Sequence, residues 1–253
     1  MQPHYWNDAK KHLSAQCPTM KQLIRRYKGE GLRARGDGFY TLVRSVVGQQ
    51  ISVKAADAVW ARLEVVVKPL TPKKLLSLSD ETLRGCGLSA SKVAYAKNVA
   101  AFYVERGITS PSRGEVARRA GGGNLPSAAS DPHPSLRADL PPEGGGKLPE
   151  RAYWANLSDE EVIAQLTSIK GIGSWTAEMF LIFHLMRPDV FPVKDLGVLK
   201  AINLHLLEGD ARLKSDKWLK PKEYREISER WAPYRTVATW YLWRALDPVP
   251  VAY

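Results

Sequence analysis

The 253-residue chain predicts an all-α fold on three observations. Apolar residues recur at helical spacing in one segment after another. Residues that favour helix starts stand in front of several of those segments, and no run shows the alternation of a half-buried strand.

Taken in order, residues 52–67 align Val53, Ala56, Val59, Leu63 and Val66–Val67 behind Ser52 as a candidate cap. Residues 91–105 repeat the pattern with Val93, Ala96, Ala100 and Tyr103. Ser158-Asp159-Glu160-Glu161 reads as a capping box that opens a helix carrying Val162 and Leu166. Residues 174–187 are apolar on nearly every face, as in a buried central helix. Helices at about 195–207, 221–231 and 234–246 complete the set, with Pro221 and Pro233 suited to helix starts. Residues 107–150 break the order: two runs of three glycines (121–123 and 144–146), seven prolines from Pro111 to Pro149, and few large aliphatic side chains. Such a stretch buries too little to offset its ordering entropy and reads as a surface insertion without fixed structure. Contact with DNA through Arg113, Arg118 and Arg119 is the alternative.

Lys and Arg number 37 against 26 Asp and Glu, a net charge of +11, which suits a polyanionic partner. Lys10, Lys11, Lys21, Arg25, Arg26, Lys28, Arg33 and Arg35 cluster with only Asp8 and Glu30 among them, either as a binding patch or as a solvated helix face. Two cysteines, Cys17 and Cys86, are too few for a four-thiolate iron–sulfur or zinc site and suggest no disulfide framework. With no apolar signal core and no segment long enough to span a bilayer, the expected setting is cytoplasmic (nucleoid-associated in a bacterium, nuclear in a eukaryote), without membrane association.

Residues 166–177, Leu-Thr-Ser-Ile-Lys-Gly-Ile-Gly-Ser-Trp-Thr-Ala, carry the strongest functional signal. A helix runs into a glycine hairpin and a second helix starts at once. Gly171 and Gly173 permit positive φ and close backbone approach. The amides that open the second helix then form an anion seat, suited in a basic protein to a nucleic-acid phosphate. Downstream, Pro192 disfavours helix, and Asp195 stands where the next helix should begin. Alone, such an Asp is usually a cap. The order and close spacing of hairpin, apolar helix and Asp195 point beyond capping.

That combination resembles the helix–hairpin–helix DNA glycosylase superfamily, through 169–177 and through Phe191-Pro192-Val193-Lys194-Asp195-Leu196-Gly197. Within it the chain is most similar to the alkylpurine (3-methyladenine DNA glycosylase II) branch, which also matches at Gly48-Gln49-Gln50-Ile51-Ser52 and Trp231-Ala232-Pro233-Tyr234-Arg235. The resemblance implies a two-lobed helical fold with the substrate site in a cleft between lobes. The expected organisation is 1–38 packing with the C-terminal lobe, 39–106 as the first part of the central lobe, 107–150 as the insertion, 151–202 as hairpin and catalytic Asp, and 203–253 as the C-terminal lobe. On the same resemblance, the 38 residues before the helical core are not expected to form the extra β domain of larger bacterial relatives.

The resemblance makes Asp195 the catalytic carboxylate and places Trp175, Trp243 and Met179 at base-pocket positions; aromatic residues here are otherwise ordinary core. It assigns DNA contacts to Gly171, Gly173, Ser174, Trp175, Lys170, Gln49 and Gln50, with Gln50 at the tip that enters the base stack, although Gln49-Gln50 also reads as a plain polar loop. Trp175 stands where strand-cutting members carry a Schiff-base lysine. The implied activity is a monofunctional glycosylase that excises alkylated purines of the 3-methyladenine and 7-methylguanine type from double-stranded DNA. It would act as a monomer with no required cofactor. A monovalent cation on the carbonyls of Thr167, Ile169 and Ile172 is a further implication. The alternatives are a bifunctional glycosylase/lyase for oxidised bases and a non-catalytic DNA-binding module.

Overall fold

The computed structural model describes residues 2–33, 37–109, 148–213 and 218–246; most of the 107–150 insertion lies outside them. Two compact units divide the chain: residues 36–171 form one, and 1–35 together with 172–253 form the other.

In the first unit, α3 (Gly38–Gly48), α4 (Val53–Val66), α5 (Pro72–Ser77), α6 (Asp80–Gly85) and α7 (Ala90–Glu105) precede α8 (Glu150–Ala155) and α9 (Asp159–Thr167). Side-chain caps start most of them. Ser52, Thr71, Ser79 and Ser89 each accept from an amide three residues on, and Ser158 with Glu161 completes the predicted capping box. Phe39, Leu42, Val46, Leu63, Val93, Val99, Tyr103, Trp154 and Leu166 form its core. Helix α7 packs against α3 and α5, and Phe102 stacks on Trp154 at 6.2 Å. Each fully buried side chain of this size stabilises the unit by about 2 kcal/mol relative to an exposed one.

The second unit joins α1 (Trp6–Gln16) and α2 (Pro18–Arg26) to α10 (Ser174–Phe183), α11 (Leu196–His205), α12 (Pro221–Glu229) and α13 (Arg235–Leu246). Helix α13 packs on α1, α2 and α11; Trp6 meets Trp240 edge-on at 5.4 Å, and Arg244 pairs with Glu30 at 2.5 Å. Residues 172–202, expected with the central lobe, therefore belong here, because α11 packs on α13. Helix α10 is shorter than the apolar run 174–187 predicted. After Phe183 the chain turns back, with Met186 at φ +56° and the Arg187 amide donating to Leu181 O, ahead of Pro188. Cys17 and Cys86 are buried, free thiols. Among the described residues, no helix is long and apolar enough to cross a membrane.

The margins of the expected insertion are structured. Ile108–Thr109 (β1) pairs in parallel with Leu148–Pro149 (β2), a contact too short to show as alternation. Immediately after it, Glu150 is 2% exposed; its Oε2 accepts from the Gly38 amide at 2.9 Å and its Oε1 from the Tyr103 hydroxyl. Burial, reinforced by the Asp37 charge and opposed by these hydrogen bonds, pushes the Glu150 carboxyl up to about 7. Between the unfolded value near 4.5 and about 7 the folded chain therefore holds the extra proton, and stability falls as pH rises through that window. The whole effect is about 3 kcal/mol. Urea unfolding between pH 4.5 and 8 is expected to show this decline levelling above pH 7, and Glu150→Gln to make it shallower; an unchanged slope in the variant would assign the decline to other groups.

Candidate active site

Helix α9 buries Val162 and Leu166, and the hairpin that follows is anchored by buried Ile169 and Ile172. Two side chains hold its carbonyls: Asn98 Nδ2 donates to Lys170 O and Gln49 Nε2 to Gly171 O, both at 3.0 Å. Gly171 has φ +105°, and a Cβ there would lie 2.2 Å from Cγ of Tyr95, so only glycine fits. Gly173 differs from expectation. Its φ is −97° and a Cβ there would meet open space, so neither positive φ nor crowding requires glycine. As N-cap of α10 it has no side chain to occupy the first-turn amides, which leaves that turn to an anion. Exposed Lys194 donates from Nζ to Ser174 Oγ at 3.2 Å, bringing a cation to the same turn.

The Gly48-Gln49-Gln50 loop divides its two glutamines. Gln49, expected on DNA, donates its side-chain amide to the hairpin carbonyl of Gly171. Gln50 is exposed and held at φ +57°, an uncommon conformation for a residue with a Cβ.

Asp195 is positioned from both sides in sequence. Ahead of it, Asp189 accepts from the Arg235 guanidinium at 2.7 and 2.8 Å, while Thr236 Oγ1 accepts from the Val190 amide and donates to Arg187 O. Burial would raise the Asp189 carboxyl, but the Arg235 hydrogen bonds outweigh it and hold it below its ordinary value. After these contacts, the Asp195 amide donates to Pro192 O and its side chain caps α11.

The carboxylate of Asp195 is 6% exposed and accepts three hydrogen bonds. Oδ1 takes the Val198 amide at 2.8 Å and Trp243 Nε1 at 2.9 Å, and Oδ2 takes Trp175 Nε1 at 2.9 Å. Gly197 keeps the approach open, since a Cβ there would stand 3.1 Å from Oδ1. Capping thus occupies one bond, while two indole donors from α10 and α13 fix the plane of the carboxylate. Chemically, this is a rigid buried negative charge with one lone pair of Oδ2 unassigned by these bonds.

Of the residues expected in the base pocket, Trp175 is half-buried, Trp243 is buried with one face stacked on Phe183 at 5.6 Å, and Met179 is 1% exposed. Lys170 is exposed on the hairpin. Sequence reasoning missed Glu178, a half-buried carboxyl on α10 near Asp195; its signal was a lone acid inside an otherwise apolar helix. Asn98 carried no signal, because its partner lies 72 positions away. No group of three or more His, Cys, Asp or Glu suited to a metal exists among the described residues.

The class defined by this hairpin and carboxylate is matched directly. The pattern of the HhH-GPD superfamily base excision DNA repair proteins covers residues 43–233, and this chain belongs to that family of DNA glycosylases. Within it, the chain falls in the alkylpurine glycosylase II branch. It is 30% identical over 241 residues to DNA-3-methyladenine glycosylase 1 of Schizosaccharomyces pombe, covering 92% of this chain and 84% of that one. The solved structure of the S. pombe 3-methyladenine DNA glycosylase Mag1 with abasic DNA aligns at a TM-score of 0.65 and 29% identity, over 97% of this chain and all of that one. The DNA-3-methyladenine glycosidase structure from Bacillus halodurans aligns at 0.65 and 29% identity, over 94% and 88%.

Gly171→Ala is expected to lower stability by about 2 kcal/mol or more, through strain and the Tyr95 clash. Urea unfolding of the variant tests it, and an unchanged midpoint would mean that the hairpin adapts.

Proposed function

We propose that this protein is a monofunctional DNA glycosylase that hydrolyses the N-glycosidic bond of alkylated purines, of the 3-methyladenine and 7-methylguanine type, in double-stranded DNA. The observation that carries the reading is the Asp195 carboxylate clamped between the Trp175 and Trp243 indole N–H groups.

Breaking this bond builds positive charge on the sugar. A carboxylate already oriented by three donors stabilises that charge without reorganising during the step. An alkylated purine is itself cationic and a good leaving group, so no leaving-group acid is required, and a cation stacks favourably on the half-buried Trp175 indole. Met179 stands one turn further along the same helix. The base must leave the duplex to reach such a site, at a cost of a few kcal/mol. Gln50, exposed and strained into view, is the candidate to fill the gap, while the first turn of α10, Ser174 and Lys194 grip a phosphate. The carbonyls of Thr167, Ile169 and Ile172 suit a monovalent cation in kind, as hard oxygens of the last residue of α9 and of the hairpin after it, and the side-chain bonds described above fall on neighbouring carbonyls instead. An indole at 175 has no amine for a Schiff base, which separates this reading from a lyase.

Incubation with methylated duplex DNA should release alkylated purines, identified chromatographically, and leave abasic sites. Asp195→Asn should slow single-turnover release by about 10³-fold or more while keeping affinity for abasic DNA within about threefold. Borohydride should trap no covalent adduct with the wild-type protein. Undiminished release by the variant would remove Asp195 from the chemistry, and a trapped adduct would assign the protein to the lyases.

A further inference from the structure

Glu178 is the one acidic side chain of α10, one turn beyond Ser174 and three residues beyond Trp175, so all three share a side of the helix. Its Oε2 is shielded from solvent and has no hydrogen-bond partner among the described residues. At Oε2, a protonated carboxyl lacks an acceptor among the described residues and an ionised one lacks a donor.

Among the described residues, three charged groups face Glu178: Lys194 from the segment before α11, Arg225 from α12, and Asp195 at the start of α11. Its own helix contributes no other titratable side chain. Burial pushes the Glu178 carboxyl up to about 7; Lys194 and Arg225 oppose this and Asp195 reinforces it. Lys194 meanwhile donates to Ser174 Oγ at the phosphate seat, on a flexible stem, and its charge also acts on the Glu178 carboxyl.

We propose that Glu178 is a positioning residue that sets where the Lys194 ammonium points. As the neutral acid it leaves Lys194 on Ser174, at the helix start where a DNA phosphate binds. As the carboxylate it draws Lys194 along α10 away from the seat and adds a second negative charge beside Asp195. Bound phosphate, being negative, disfavours the ionised form, so DNA binding and proton retention at Glu178 support each other. Affinity is then highest with Glu178 protonated and falls as pH rises through neutrality. The inference rests on the phosphate seat of the reading above, not on which base is excised.

The test is fluorescence anisotropy with the intact protein and a duplex containing a tetrahydrofuran abasic site, from pH 5.5 to 8.5 at constant ionic strength. The wild-type Kd is expected to rise about fivefold or more, with its midpoint near the Glu178 titration at about 7. Glu178→Gln, a permanently neutral near-isostere, should flatten the profile. Lys194→Met, at an exposed position, should weaken binding at low pH and also flatten it. A wild-type midpoint and amplitude retained in either variant would overturn the proposal. Because an abasic duplex has no base to release, absent purine excision with this pH behaviour intact would defeat the alkylpurine reading and leave Glu178 in its role. Excision with an unaltered pH profile in the variants would do the reverse.

Discussion

A buried carboxylate held by two indoles is the constraint around which the second unit is arranged. Asp195 reaches its place only because the Asp189–Arg235 pair and Thr236 bolt the preceding segment to the start of α13, and the same helix then supplies Trp243 eight residues on. Helix α10 supplies Trp175 from the opposite side in sequence, one residue after the Ser174 that receives Lys194. The indole that orients the charge meant for a cationic sugar and the hydroxyl at the turn that would hold the phosphate are thus adjacent residues of one helix. Precision in one therefore carries over to the other, since both depend on how α10 begins.

Hairpin geometry depends on the first unit in a different way. Gly171 lies against the Tyr95 ring, and the amides of Gln49 and Asn98 hold two consecutive hairpin carbonyls. With those carbonyls tied down, the peptide planes at the turn have little freedom. Gln49 also neighbours Gln50, the exposed residue proposed to enter the base stack, so one side chain ties that loop to the hairpin proposed to hold the phosphate. Glu150 does comparable work at the base of the described segments around the insertion, joining the start of α3 to α7 through Gly38 and Tyr103.

Much of this was legible in sequence where the cause is local. The capping box at Ser158, the Ser52 cap and the periodic face of α7 depend on residues three or four apart and appear where spacing places them, as do Ala56 and Leu63 on α4, whereas Val66, expected on that face, is exposed. Asp195 was legible as a helix start, and it is one; its second role needed the resemblance, because Trp243 lies 48 positions away. What stayed hidden involves distant partners or single residues within an apolar run: Asn98 on Lys170, Glu150 on Gly38, and Glu178 within α10. Gly173 was misread because glycine suggests positive φ, whereas here it serves by having no side chain at a helix start. The lobe boundary was misplaced because α11 owes its allegiance to contacts with α13 rather than to its neighbours in sequence.

Binding to a charged mimic of the reacting sugar tests the central claim most directly. Duplexes carrying a protonated pyrrolidine or a neutral tetrahydrofuran at the abasic position differ mainly by one positive charge where Asp195 would meet the sugar. The wild-type protein is expected to bind the pyrrolidine duplex at least about tenfold more tightly, and Asp195→Asn to lose that preference. Equal affinity of the wild-type protein for the two duplexes would contradict the account, because the clamped carboxylate would then not be aimed at developing positive charge.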